Sequence, residues 1–236
     1  IKPFAVFGLK DCDLRSIEIL DKVFAEEEFQ DPFYIKRRDN MFIISSDCFE
    51  PAESCFCNIL GNKPFADKGF DLNISKIKDG FIVEAGSQKG QEFIQKHHQL
   101  FTDATEAQLA QRDENRTQAQ KQLAQINAEY QINAPTKQIV EAGWDSEAFD
   151  IEAKDCVECQ ACTRVCPTCH CFYLYDTKQQ DYFAKMKMWD SCIRQAYAAV
   201  AGGLNPRKIL GDRLKHRLMH KFVYFLDRYG MDMCVG

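Results

Sequence analysis

Apolar residues come in short, separated bursts at the start of the chain. Phe4-Ala5-Val6-Phe7-Gly8, Met41-Phe42-Ile43-Ile44 and Phe81-Ile82-Val83 read as brief buried strands, the last entered through the turn signal Lys78-Asp79-Gly80. Between the first two, Leu14, Ile17, Leu20, Val23 and Phe24 recur at helical spacing. Lys89 to Phe101 reads as another helix. Residues 1–101 are therefore expected to form an α/β domain.

From Thr102 to about Asn133 the pattern changes to a polar, Gln- and Ala-rich stretch without Gly or Pro. Leu109, Ala119, Leu123, Ile126 and Tyr130 share one face. Asp103 with Glu106 resembles a capping box, and Pro135 stops the pattern. The expectation is one long amphipathic helix over residues 102–137, either a strap against a domain or partner or a plain connection. From Gln138 the chain reads as mainly helical, with helices expected around Asp181–Ala201 and Pro206–Tyr229 and Gly202-Gly203 between them. The fold class is α+β: an N-terminal α/β domain, a long helix, and a helical two-cluster ferredoxin domain over 138–236.

Composition narrows the function. The 236 residues carry a net charge of −5, which argues against general nucleic-acid binding. The basic triplet Lys36-Arg37-Arg38 reads as a solvated turn or a salt-bridged face before a phosphate or partner contact. No stretch reaches the roughly 18 apolar residues of a membrane span. The chain reads as soluble and cytoplasmic. Twelve cysteines are the outlier, seven of them between Cys156 and Cys192. Several lie too close together for a ladder of disulfides, and the pattern suits thiolates that bind soft metal in a reducing compartment. The chain begins at Ile1 and ends at Met233-Cys234-Val235-Gly236. A longer protein is expected at both ends.

The sharpest motif is Cys156-Val-Glu-Cys159-Gln-Ala-Cys162-Thr-Arg-Val-Cys166-Pro167, a C-x2-C-x2-C-x3-C-P run. Two-residue gaps let three thiolates wrap one face of a cubane, while intervening amides hydrogen-bond its sulfides. In two-cluster ferredoxins the fourth Cys ligates the other cluster. A zinc site more often shows separated C-x2-C pairs. Cys234-Val-Gly would open a second such run. One 4Fe-4S cluster would then use Cys156, Cys159 and Cys162, and the other Cys166 and Cys234, each completed by residues further on. The plainer alternative leaves Cys234 as a lone thiol.

A second group follows the apparent strands: Cys12 after the first, Cys48 after the second, and Cys55 and Cys57 in the loop beyond. Four thiolates at the same ends of neighbouring strands suit a third 4Fe-4S cluster; otherwise they are four buried or unreactive thiols. Cys169, His170, Cys171 and Cys192 are expected to pack around the clusters, since Rieske-type ligation needs two His. No dinucleotide fingerprint, P-loop or hydrolytic triad occurs.

Taken together, several segments resemble the β subunit of soluble sulfhydrogenases and its relative, the iron–sulfur A subunit of anaerobic sulfite reductase. They are Phe7–Leu14 with Ile19-Leu20-Asp21, Asp31-Pro32-Phe33-Tyr34 with Arg37-Arg38, Cys55-Phe56-Cys57-Asn58 and Phe65–Asp71. Cys156–Cys171, Trp189-Asp190-Ser191-Cys192 and Ala201-Gly202-Gly203 belong to the same set. The resemblance covers nearly the whole chain and is weakest over the Gln-rich helix. It implies an electron relay between a flavin subunit handling NAD(P)H and a catalytic partner. That partner would be a nickel–iron hydrogenase, a sulfite reductase or a heterodisulfide-reductase-like complex. It also strengthens Cys12, Cys48, Cys55 and Cys57 as ligands. Two other readings stand beside it: an oxidoreductase with its own flavin or substrate site on the α/β domain, and a zinc-stabilised interaction module.

Overall fold

The computed structural model describes residues 2–26, 28–130 and 132–236. Ile1, Glu27 and Gln131, the last within the expected long helix, lie outside the described residues. The chain divides into two compact units, Ile1–Asn133 with Cys234–Gly236, and Ala134–Met233. Helices and sheets both occur, so the fold is α+β.

The first unit is built on a four-stranded sheet in the order β1 (Phe4–Leu9), β2 (Met41–Ser46), β3 (Leu72–Ile77), β4 (Gly80–Ala85). β1, β2 and β3 run parallel, and β4 returns antiparallel to β3. Between β1 and β2 lie helices α1 (Asp11–Phe24) and α2 (Pro32–Asp39). Leu14 of α1 joins Ile43, Ala66 and Phe70 in an apolar core. Asp31 caps α2, accepting from the amides of Phe33 and Tyr34, with Pro32 in the first turn where no N–H is needed. The basic triplet lies in the last turn of α2, and Arg38 pairs with Asp21 at 3.0 Å.

After β4, α3 (Gln88–Lys96) starts at Ser87, whose hydroxyl accepts from the Gly90 amide and donates to Asp71. Gly90 sits where a Cβ would lie 1.9 Å from the Asp71 carbonyl oxygen, so no larger residue fits. The long helix is shorter than the pattern implied. α4 covers Glu106–Ile126, and Tyr130 lies beyond its end. Its cap is Thr105 paired reciprocally with Gln108, not Asp103 with Glu106, because Thr105 takes the extended backbone a cap requires. Ala119 and Leu123 are buried as expected. Arg116 of α4 reaches Asp47 at 2.7 Å, and Asp47 in turn accepts from Asn73 and Ser75 of β3.

The second unit holds α5 (Thr136–Ala142), α6 (Ala148–Ala153), α7 (Ala161–Arg164), strands β5 (Phe172–Lys178) and β6 (Phe183–Trp189), α8 (Leu210–Met219) and α9 (Phe225–Tyr229). The helix expected over Asp181–Ala201 is instead strand β6 followed by short turns. β5 and β6 pair antiparallel from Phe172↔Trp189 to Lys178↔Phe183. The reason is visible in Lys185-Met186-Lys187-Met188, whose strict alternation is the period of a strand. Between α8 and α9 the helix widens into a π turn, His220–Tyr224. Such turns are rare and concentrate at functional sites. Among the described residues no helix is long and apolar enough to cross a membrane.

Candidate metal centre

The cysteine run begins just past α6, where the Cys156 amide donates to the Ala153 carbonyl at 3.0 Å. Glu158 and Gln160, on either side of Cys159, are the two non-glycine residues with positive φ among the described residues, at 53° and 65°. Left-handed backbone costs an L-residue about 1–2 kcal/mol, and such outliers cluster at functional sites. Both are held by specific contacts. The Glu158 carboxylate meets Arg213 at 2.6 Å. The Gln160 carbonyl accepts from the Thr163 amide and hydroxyl, which fixes the entry into α7. This tight coil leaves Cys156, Cys159 and Cys162 exposed.

Cys166 lies deeper. Its sulfur is 3.1 Å from the Thr168 hydroxyl and receives a hydrogen bond from the Lys221 ammonium at 3.3 Å. A hydrogen bond from the Cys169 thiol, with the Lys221 charge and Thr168 assisting, draws Cys166 down to about 3 against the opposing effect of burial. The thiolate is the form that ligates metal. Cys169 is pushed up by holding that hydrogen bond. Arg217 donates to the Cys169 sulfur at 3.2 Å and to the Cys162 carbonyl at 2.7 Å. Cys171 and Cys192 form a second hydrogen-bonded thiol pair, which lowers Cys171 and raises Cys192. His170 sits against the Thr168 carbonyl at 3.0 Å, and burial lowers its pKa.

In the first unit the strand ends bring the other cysteines together. Cys12 stands in the first turn of α1, directly after β1, and Cys48 follows β2, its amide on the Pro64 carbonyl at 2.7 Å. Cys57 opens a 3-10 turn, Cys57–Leu60. Asn127, at the end of α4, pins this loop through the Cys55 carbonyl and the Asn58 side chain, both at 2.9 Å. Burial, then Asp13 and Cys57, pushes Cys12 up to about 11. Burial, then Cys55 and Cys48, pushes Cys57 to about 11. Burial also raises Cys48, with Cys55 adding to it and Lys10 opposing. Cys12, Cys48 and Cys57 thus each feel another cysteine of the set. Cys234 is half-buried and groups with this unit, where Gly236 lies so close that a Cβ would be 2.3 Å from the Cys57 Cα.

Among the described residues no three His, Cys, Asp or Glu side chains converge on a point fit for one metal ion. A single zinc needs its sulfurs about 2.3 Å from one centre. A four-iron cluster takes one thiolate at each iron and so needs a wider spread. The donor set fits that group: thiolates on a coiled loop, with cations behind them. Lys221 is 5% exposed, and its acceptors are the Cys166 sulfur, the Thr168 hydroxyl and the Met233 carbonyl. A buried ammonium is costly without a nearby negative charge. The cysteine spacing points to none of Lys221, Arg217, Arg213 or Glu158. The available signal was the four-residue step of Arg213, Arg217 and Lys221, which places all three on one helix face.

Residues 155–236 match the family model of the 4Fe-4S dicluster domain. The chain is 38% identical over 237 aligned residues to the sulfhydrogenase 2 subunit beta of Pyrococcus furiosus, covering 99% of this chain and 67% of that protein. No solved structure matches. The chain therefore carries a 4Fe-4S dicluster domain and belongs to the family of sulfhydrogenase beta subunits.

Proposed function

We propose that the chain is an iron–sulfur relay between a flavin/NAD(P)H-binding subunit and a catalytic subunit of a cytoplasmic anaerobic oxidoreductase complex. The catalytic partner is a hydrogenase, sulfite reductase or heterodisulfide-reductase-like subunit. A bound 4Fe-4S cluster supplies one-electron chemistry, accepting and returning electrons singly. Cys156, Cys159 and Cys162 hold one cluster. Cys166 and Cys234 belong to another, and Cys12, Cys48, Cys55 and Cys57 hold a third. The protein's own residues keep the thiolates in place and set the charge around them. Thr168 and Lys221 hold the Cys166 sulfur, and Arg213 fixes the loop through Glu158.

The observation that carries this reading is the four-cysteine run coiled through left-handed Glu158 and Gln160 around Cys159. Iron and acid-labile sulfide analysis of anaerobically purified protein tests it. Both are expected in stoichiometric excess over protein, with a low-temperature paramagnetic signal on reduction. Zinc without sulfide overturns the relay. Bound flavin or turnover by the isolated chain would replace it with an enzyme of its own.

A further inference from the structure

Arg213, Arg217 and Lys221 stand four residues apart along α8 and the π turn that follows it. All three point their cationic ends at the cysteine run or its loop. Arg213, 2% exposed, grips Glu158 and the carbonyls of Arg207 and Lys208. Arg217 donates to the Cys162 carbonyl and the Cys169 sulfur. Lys221 donates to the Cys166 sulfur. Their counter-charges differ. Arg213 has a carboxylate, whereas Arg217 and Lys221 meet only sulfur, hydroxyl and carbonyl acceptors among the described residues.

We propose that Lys221, seconded by Arg217, is the charge that sets the reduction potential of the cluster ligated through Cys166. The proposal rests on the relay reading above. Reduction adds one electron to a cluster already negative with its thiolates, and no bond forms or breaks. A fixed cation beside the sulfur therefore favours the reduced form more than the oxidised one. Burial sharpens the effect, since the charge is poorly screened by water. Hydrogen bonds to cluster sulfurs act in the same direction. Lys221 donates to the Cys166 sulfur, and Arg217 donates to the sulfur of Cys169, the thiol that hydrogen-bonds Cys166, so Arg217 acts at one remove. The direct contact makes Lys221 the stronger influence and Arg217 the weaker one. Lys221 is a positioning and tuning residue, not a ligand.

The test is a dithionite redox titration of the purified full chain, followed by low-temperature paramagnetic resonance, with iron and sulfide counted in each sample. Lys221→Met should keep its iron and show one cluster shifted to a lower midpoint potential, the other moving less. Lys221→Arg, which keeps the charge, should titrate close to the wild type. Arg217→Gln should shift the midpoint less than Lys221→Met. An iron-replete Lys221→Met with unchanged midpoints overturns the proposal. If Lys221→Met fails to load iron, Lys221→Arg decides. Full loading at a near-native potential supports the role of the charge; loss of iron there too overturns it, since shape and not charge would then be what matters. Wild-type protein without iron and sulfide would instead remove the relay reading itself, a distinct result.

Discussion

One buried charge in each unit is answered in an opposite way. In the first, Asp47 is 2% exposed and answered from within: Arg116 at 2.7 Å, Asn73 at 2.9 Å and Ser75 at 2.7 Å. The network closes on itself, and Leu14, Ile43, Ala66 and Phe70 pack nearby without it. In the second, Lys221 is almost as buried, yet its partners are a sulfur, a hydroxyl and a carbonyl. Three of the four cysteines of the run stay exposed, and the β5–β6 hairpin leaves Tyr173, Tyr175, Met186 and Met188 open on one face. In the first unit this buried carboxylate is balanced by side chains of the same unit. A unit with cations aimed at thiolates is built around something negative that completes it.

The largest effect should come from removing that completion. Cys159→Ser deletes the ligand between the two left-handed residues and is expected to cost a whole cluster, read as lost iron, lost sulfide and a missing paramagnetic signal. Hydrogen exchange should then rise across Ala134–Met233, while amides of β1, β2 and β3 stay protected. An unchanged iron content would dissociate Cys159 from metal and erase the contrast.

Asp47→Ala is the mirror experiment. It leaves Arg116 with Glu84, at 3.2 Å, as its remaining carboxylate and takes from Asn73 and Ser75 their shared buried acceptor, leaving only long contacts to the Ser75 hydroxyl. Breaking a buried pair in this way costs about 3–5 kcal/mol. Denaturant melting should show that loss in the first unit, with the iron of the dicluster domain retained. Equal loss of that iron would mean the two regions do not differ as described.

The same network explains what could be read from the residues alone. β1, β2 and β4 were legible because their apolar runs are short and bounded by turns. β3 was not, because Leu72-Asn73-Ile74-Ser75 looks polar. Asn73 and Ser75 are buried only by virtue of Asp47, which lies 26 residues before Asn73. Cys156 to Cys166 announced itself by spacing, since ligand geometry is local. Lys221 and Arg217 did not: steps of four along a helix also describe an ordinary solvated face. Only the packing shows which way that face turns. The β5–β6 hairpin hid for a related reason, its alternating Lys and Met being half helix former and half strand period.

Acid should separate the units by a smaller margin. Burial, reinforced by His170, His216, Lys221 and Arg217, lowers His220 to about 4. An ordinary histidine titrates near 6.5. Between those values the unfolded chain binds a proton that the folded chain refuses. Stability is therefore full above about 6.5 and falls as pH drops through the window to about 4. The ceiling is roughly 3 kcal/mol. His220→Gln should flatten this acid limb in urea midpoints taken at several pH values, with iron content measured alongside. A limb of unchanged steepness would assign the acid sensitivity elsewhere.

The mildest change tests whether α4 is fastened by the internally balanced network of the first unit. The Thr105 hydroxyl accepts from the Gln108 amide at 3.3 Å, and the Thr105 amide donates to Gln108 Oε1 at 2.9 Å. Thr105→Ala removes one of these and should cost about 1 kcal/mol. Because Arg116, Ala119 and Leu123 lie further along the helix, its packed part should persist, and fraying should stop before Arg116. Hydrogen exchange confined to the first turn, at unaltered iron content, is the expected result. Exchange spreading past Leu123 would mean that the cap, and not the Asp47–Arg116 pair, fastens the helix to the sheet.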